Sequence, residues 1–133
     1  MSRLRKVTPE NASADTLQTP GMVRRAGVSS STVGANKIWM GETHMAPGTV
    51  SGAHHHGENE TGIYVVAGNP VFIYLADGVE QRIATKPGDY VYVPPFVPHI
   101  ESNEHSAVEA VVVIARSSQE AIVENLAGLS DHP

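Results

Sequence analysis

Three consecutive histidines, His54-His55-His56, stand in mid-chain with Glu58 and Glu60 close behind, and His99 follows a proline-rich stretch further on. Imidazole nitrogen and carboxylate oxygen are donors for a divalent transition metal. On a β-strand side chains alternate between faces, so His54 and His56 point one way and His55 the other. Two imidazoles one residue apart on one strand face can grip a single ion. The loop Gly57-Glu58-Asn59 can turn the chain so that the Glu60 carboxylate comes back toward that ion. His99 arrives from a bend flanked by Pro94, Pro95 and Pro98, and a rigid entry suits a preorganised ligand. The competing readings are an affinity tag, which would sit at a terminus, and a solvated polar loop in which Glu60 is a surface acid. Glu58, His44, His105 and His132 are read as surface groups.

The rest of the composition narrows the chemistry. The 133 residues contain no cysteine, which removes disulfides, thiolate metal sites and cysteine nucleophiles together. Any metal must be held by nitrogen and oxygen. The net charge of −5 and the absence of a basic run beyond Arg3-Leu4-Arg5-Lys6 argue against nucleic-acid binding. No apolar run is long enough to span a bilayer, and the basic N-terminal run leads into Val7-Thr8-Pro9 rather than an apolar signal core. The expectation is a cytoplasmic protein with no membrane partner.

The elements that must position these residues read as strands. Twelve glycines and nine prolines punctuate short apolar runs, the pattern of an all-β sandwich or barrel. Strands are expected at residues 22–28, 36–46, 61–67, 71–76, 80–85, 90–94 and 107–116, with a hairpin at Asp77-Gly78. Residues 1–20 read as a weakly structured arm and 21–133 as one domain. Residues 117–127 suit a short C-terminal helix capped at Ser118, with an edge strand near residues 121–125 as the alternative. Trp39, Phe72, Tyr90, Tyr92 and Phe96 read first as core.

Two motifs in this order resemble the cupins. The first cupin motif, G-x5-H-x-H-x(3 or 4)-E-x6-G, is matched by Gly48, His54, His56 and Glu60. Its closing glycine, Gly68, stands one residue late. Either Glu60 ligates through a one-residue bulge, or the glutamate position counted back from Gly68 is Thr61 and the carboxylate ligand is missing. The spacing from His56 favours Glu60. The second motif, G-x5-P-x-G-x2-H-x3-N, is matched by Gly88, Pro94, His99 and Asn103, with Phe96 in place of its inner glycine. The resemblance covers roughly residues 36–116, with the motifs spanning 48–103. It implies an antiparallel double-stranded β-helix, the jelly-roll barrel. It also implies one divalent ion (iron, manganese, nickel, zinc or copper) on His54, His56, Glu60 and His99.

Four such ligands leave two positions open on an octahedral ion, a catalytic type of shell. The expected function is a metal-dependent enzyme acting on a small oxygenated organic substrate, as a dioxygenase or by Lewis-acid isomerase or lyase chemistry. The alternatives are a non-catalytic cupin that binds a small acid or sugar, and a structural protein with an idle site. By alternation from Glu60, Tyr64 is the expected phenol near the metal. Glu101 alternates with His99 and is the expected acceptor for an imidazole N–H. A homodimer is expected, with residues 21–28 as the candidate cross-over strand.

Overall fold

Alternating apolar and polar residues, broken by Gly and Pro, produce ten short strands in the computed structural model, which describes residues 3–118 and 123–130. They are β1 (Val23–Val28), β2 (Trp39–Met45), β3 (His54–His55), β4 (Thr61–Ala67), β5 (Val71–Ala76), β6 (Val79–Ala84), β7 (Tyr90–Val93), β8 (Ile100–Ser102), β9 (Ala110–Arg116) and β10 (Glu124–Asn125). All pairings are antiparallel. One sheet runs β1-β2-β9-β4-β7, and the other strands form β6-β5-β8 and β10-β3. Isolated bridges Val50↔Ser102 and His54↔His99 join these last two groups side by side. Two antiparallel layers closing on one interior form a jelly-roll barrel.

The five-stranded sheet presents its inner face in rows. Ala26, Gly41, Ile114, Ile63 and Val91 make one row. Trp39, Arg116, Thr61 and Val93 make the row on one side of it, and Arg24, Thr43, Val112 and Val65 the row on the other. Ala26, Trp39, Ile63, Val65, Phe72, Val93, Val112 and Ile114 pack together as the apolar core. Gly41 matters to this row. A Cβ there would strike the Arg25 carbonyl oxygen and come within 2.7 Å of the Trp39 ring, so the indole lies across the space a side chain would fill.

Turn chemistry follows the sequence. Asp77 and Gly78 both take positive φ, as a two-residue hairpin between β5 and β6 requires. Gly68 also has positive φ, and a Cβ on it would meet the Glu109 carbonyl at 2.7 Å. Phe96, in the motif's glycine position, adopts φ 61° despite its side chain. Its N–H donates to Gly57 O at 2.8 Å, and its ring stands edge-on to His55 at 5.8 Å, which offsets the strained backbone.

Local structure refines the sequence reading. The serines after β1 form a short helix, α1 (Ser30–Val33), closed by a Ser29–Thr32 capping box and a left-handed Gly34. The end of the N-terminal arm is tied down: Ser13 bridges Ala26, and the Gln18 amide clamps both backbone groups of Arg24. In the C-terminal stretch, 119–122 lie outside the described residues, and Glu124–Asn125 pair with β3 as a strand, in line with the edge-strand alternative and not the helix. Within residues 21–28, β1 pairs with β2 of its own chain.

Candidate metal centre

His54 and His99 face each other across a narrow antiparallel bridge. The His54 N–H donates to His99 O at 3.1 Å and the His99 N–H to His54 O at 2.9 Å. Directly paired residues present their side chains on the same face. The two imidazoles accordingly lie 4.3 Å apart between ring centroids. His56 sits 5.2 Å from each. One ligand atom from each of the three lies within 4.8 Å of the others, and all three residues are buried.

Hydrogen bonding fixes which nitrogen is available. Nδ1 of His54 donates to Gly52 O at 2.9 Å, and Nδ1 of His99 donates to Val97 O at 3.0 Å. A carbonyl oxygen only accepts, so Nδ1 carries the proton and Nε2 keeps its lone pair. Both Nε2 atoms are buried with no hydrogen-bond partner among the described residues. Burial also keeps the rings neutral. It pulls His54 well below the ordinary histidine pKa, helped by the adjacent His99. It does the same to His56, helped by Arg116, and lowers His99 to about 4. Three neutral imidazoles that converge, with the Nε2 lone pairs of His54 and His99 unshared among the described residues, fit a divalent ion.

The structure does not bring Glu60 to this group. Thr61, Ile63 and Val65 point inward and are buried, so Glu60, Gly62 and Tyr64 point outward. Glu60 instead accepts from the Tyr92 hydroxyl at 2.8 Å on the surface. A one-residue bulge does exist in β4, but it falls between Val65 and Ala67, beyond the position that would have turned Glu60 inward. Thr61 therefore occupies the inward position, fully buried with its Oγ1 unpartnered among the described residues. The same alternation removes Tyr64 from the interior, where it was expected beside the metal. Its ring is exposed and packs at a tilt against Tyr90, with 4.9 Å between centroids.

Glu101 points inward as alternation from His99 requires, and it is buried. It does not orient His54 or His99, because backbone carbonyls already take both of their Nδ1 protons. Burial raises its carboxyl to about 7, against the pull of Arg24 and Arg116. Its Oε2 has no partner among the described residues. His55 points away from the other two rings, but it is buried rather than exposed and its Nδ1 accepts from the Gly57 N–H at 3.0 Å.

Arg24 and Arg116 are the interior groups that the sequence reading missed. Both side chains are buried, and both influence the three imidazoles electrostatically. Burial and Arg24 lower Arg116 to about 9, which leaves it cationic at neutral pH. The available signal was parity. Arg116 follows Val112 and Ile114 at every second residue, and Arg24 precedes Ala26 in the same way, so both fall on the core face of their strands. A pocket of about 300 Å³ reaches this interior from outside, lined by Phe72, Ile73, Val91, Val93, Val97 and His99 among others.

Comparison with known proteins agrees with this architecture. The family model described as a cupin domain matches residues 41–115. No curated protein matches the chain. Among solved structures, oxalate decarboxylase from Bacillus subtilis at pH 4.6 superimposes with a TM-score of 0.72 at 17% identity, covering 84% of this chain and 29% of that one. An oxalate oxidase in complex with the substrate analogue glycolate gives 0.72 at 20% identity, covering 86% and 60%. A Lactobacillus farciminis oxalate decarboxylase formate complex gives 0.71 at 16% identity, covering 85% and 33%. At such identities the likeness is one of fold. This chain spans less than two thirds of each of those chains. Among the described residues, no helix is long and apolar enough to cross a membrane.

Proposed function

This chain belongs to the cupin family, and from that premise we propose that it binds one divalent transition metal and acts as a metal-dependent enzyme on a small oxygenated organic substrate. The observation that carries the reading is the convergence of buried imidazoles, two of them with Nδ1 committed to a carbonyl and Nε2 left unshared. His54, His56 and His99 would hold the ion. Iron, manganese, nickel, zinc and copper all accept such donors. Three protein ligands leave at least one position open, the arrangement of catalytic rather than structural sites. When bound, the ion supplies Lewis-acid polarisation of substrate oxygens, or electron exchange if it is redox-active.

The chain's own groups set the rest. The apolar pocket lined by Val93, Val97 and His99 admits a small organic molecule and limits water around it. Glu101 places an unpartnered carboxylate oxygen inside the barrel, two residues from His99, and is the group positioned to meet a substrate hydroxyl or carboxyl. Neighbours of the same fold act on oxalate or are complexed with glycolate or formate, and one study of the Bacillus enzyme concerns its Mn(II) centres. These relatives support small oxygenated acids as a starting set of substrates.

The test is elemental analysis of protein purified without added metal, followed by titration of the apo-protein. About one equivalent of a divalent ion per chain is expected, lost in H54A and H99A. A chain that binds no divalent ion would refute the proposal. A screen of small oxygenated acids on the metal-loaded protein, with oxygen uptake recorded, then reads the reaction. A ligand recovered unchanged throughout would make the protein a non-catalytic binder instead.

A further inference from the structure

The interior that faces the histidines carries more fixed positive charge than the protein itself neutralises. Arg24 and Arg116 are 0% and 2% exposed. Arg24 is largely occupied: its Nη1 donates to Thr19 Oγ1 at 2.7 Å and to Leu17 O at 3.4 Å. Arg116 is not. Its Nε, Nη1 and Nη2 all lack an acceptor among the described residues. The guanidinium instead lies 4.2 Å over the Trp39 ring, which holds the plane of the fork without using its N–H groups. Glu101 is the buried carboxylate near enough to influence both arginines, yet no ion pair joins it to either among the described residues.

A buried cation with three unpartnered donor nitrogens is costly unless something accepts from it. Neutral imidazoles offer no negative charge, and a divalent ion on them would add positive charge to the same chamber. Thr61 stands beside Arg116 in the strand register, with a second unpartnered polar atom. The row continues to Val93, which also lines the apolar pocket. Donors at one end of a row and an apolar wall at the other fit a molecule with an anionic head and a short carbon body.

We infer that Arg116 anchors a small organic carboxylate, gripping it with its guanidinium fork beside the three-histidine centre, with Thr61 Oγ1 as a further donor. This deepens the function proposed above and rests on it for the neighbouring metal, but the anion contacts belong to the protein alone. A planar guanidinium matches two carboxylate oxygens at once, which a lysine ammonium does not.

Butyrate, butyramide, phosphate and sulfate at constant ionic strength serve as probes, with binding read by calorimetry and melting temperature on metal-free and zinc-loaded protein. Butyrate should bind saturably and raise the melting temperature, and the neutral amide should not. R116Q should weaken butyrate by roughly 10- to 100-fold, the loss of a charge-assisted contact, while still taking about one equivalent of zinc per chain. R116K, which keeps the charge and much of the packing, should still bind at least several-fold more weakly, because the fork is gone. It carries the test if R116Q does not fold. Binding of phosphate or sulfate without butyrate would overturn the carboxylate assignment. Equal binding of butyrate and butyramide to both forms of the wild type, or undiminished butyrate binding by R116Q or R116K, would overturn the role of Arg116. A wild type that takes zinc but not butyrate sinks this inference alone, whereas one that takes butyrate but no divalent ion sinks the metal reading and leaves the anion site standing.

Discussion

Removing Glu60 should barely change metal affinity, and the size of the effect follows from where β4 puts it. Half the spacing between packed sheets plus the reach of an outward glutamate places its carboxylate about 10 Å from the histidine centre. A unit charge acting on a divalent ion at that distance contributes about 0.8 kcal/mol in a water-like medium, and roughly 0.2 kcal/mol after screening at physiological salt. E60A should therefore weaken metal binding by less than about two-fold under those conditions. H99A removes a ligand outright and should cost at least about 100-fold, the upper end of what losing even an outer-shell partner costs. Titration calorimetry of apo wild type, E60A and H99A with zinc reads both numbers. Salt dependence adds a second check, because the small E60A effect should grow as ionic strength falls while the H99A effect should not. If E60A lost affinity as severely as H99A, the outward orientation of Glu60 would be wrong and the carboxylate would belong to the shell.

The same strand predicts a contrast in stability. I63A empties a fully buried core position and should cost about 2–5 kcal/mol in urea unfolding, whereas V66A on the exposed face should change stability by less than about 0.5 kcal/mol. Equal costs would refute the assigned faces of β4. On the outer face of β2, burial lowers the His44 pKa, but hydrogen bonds and charge from Glu42 and Glu109 outweigh it and the net shift is upward. A raised pKa stabilises the fold below the unfolded value near 6.5, and that contribution disappears as pH rises through the folded value. H44A should therefore be less stable than wild type at pH 6 by under about 1 kcal/mol and equal to it at pH 8.5, since the pair is partly exposed. A loss that is the same at both pH values would remove the ion-pair explanation. The homodimer expected from the sequence should give twice the 14.1 kDa chain mass in size-exclusion chromatography with light scattering, and a value near 14 kDa refutes it.

Strand positions were legible because period-two alternation and turn residues are local signals. Asp77-Gly78 gave its hairpin directly, and His54, His56 and His99 were legible because short motifs place them on β3, just after it and on its paired bend. Glu60 was misread because a count of residues along a chain does not reveal which face of the barrel wall a side chain takes. Counting forward from His56 leads to Glu60, and counting back from Gly68 leads to Thr61. The bulge at Val66 accounts for the late Gly68, and burial settles the matter, since Thr61 faces the core and Glu60 the surface. Tyr64 was assigned by alternation from Glu60, so it inherited the same error. Helix α1 escaped notice because four residues are too few to show a period, although Ser29 and Thr32 already carried its cap.

The consequence of Thr61 reaches beyond ligand identity. A glutamate in the shell would bring a negative charge to the ion and leave the chamber closer to neutral. With threonine there, three neutral rings, Arg24 and Arg116 surround the site, and Glu101 is the one acid among the buried charged groups of the described residues. Burial pushes Glu101 toward its neutral form, so the acid resists supplying the missing charge. The electrostatic balance is then left to whatever enters the barrel. An anion that meets Arg116 also offsets the charge of an ion on the histidines, so each should favour the binding of the other. In such a barrel the small molecule completes the polar interior rather than only occupying it.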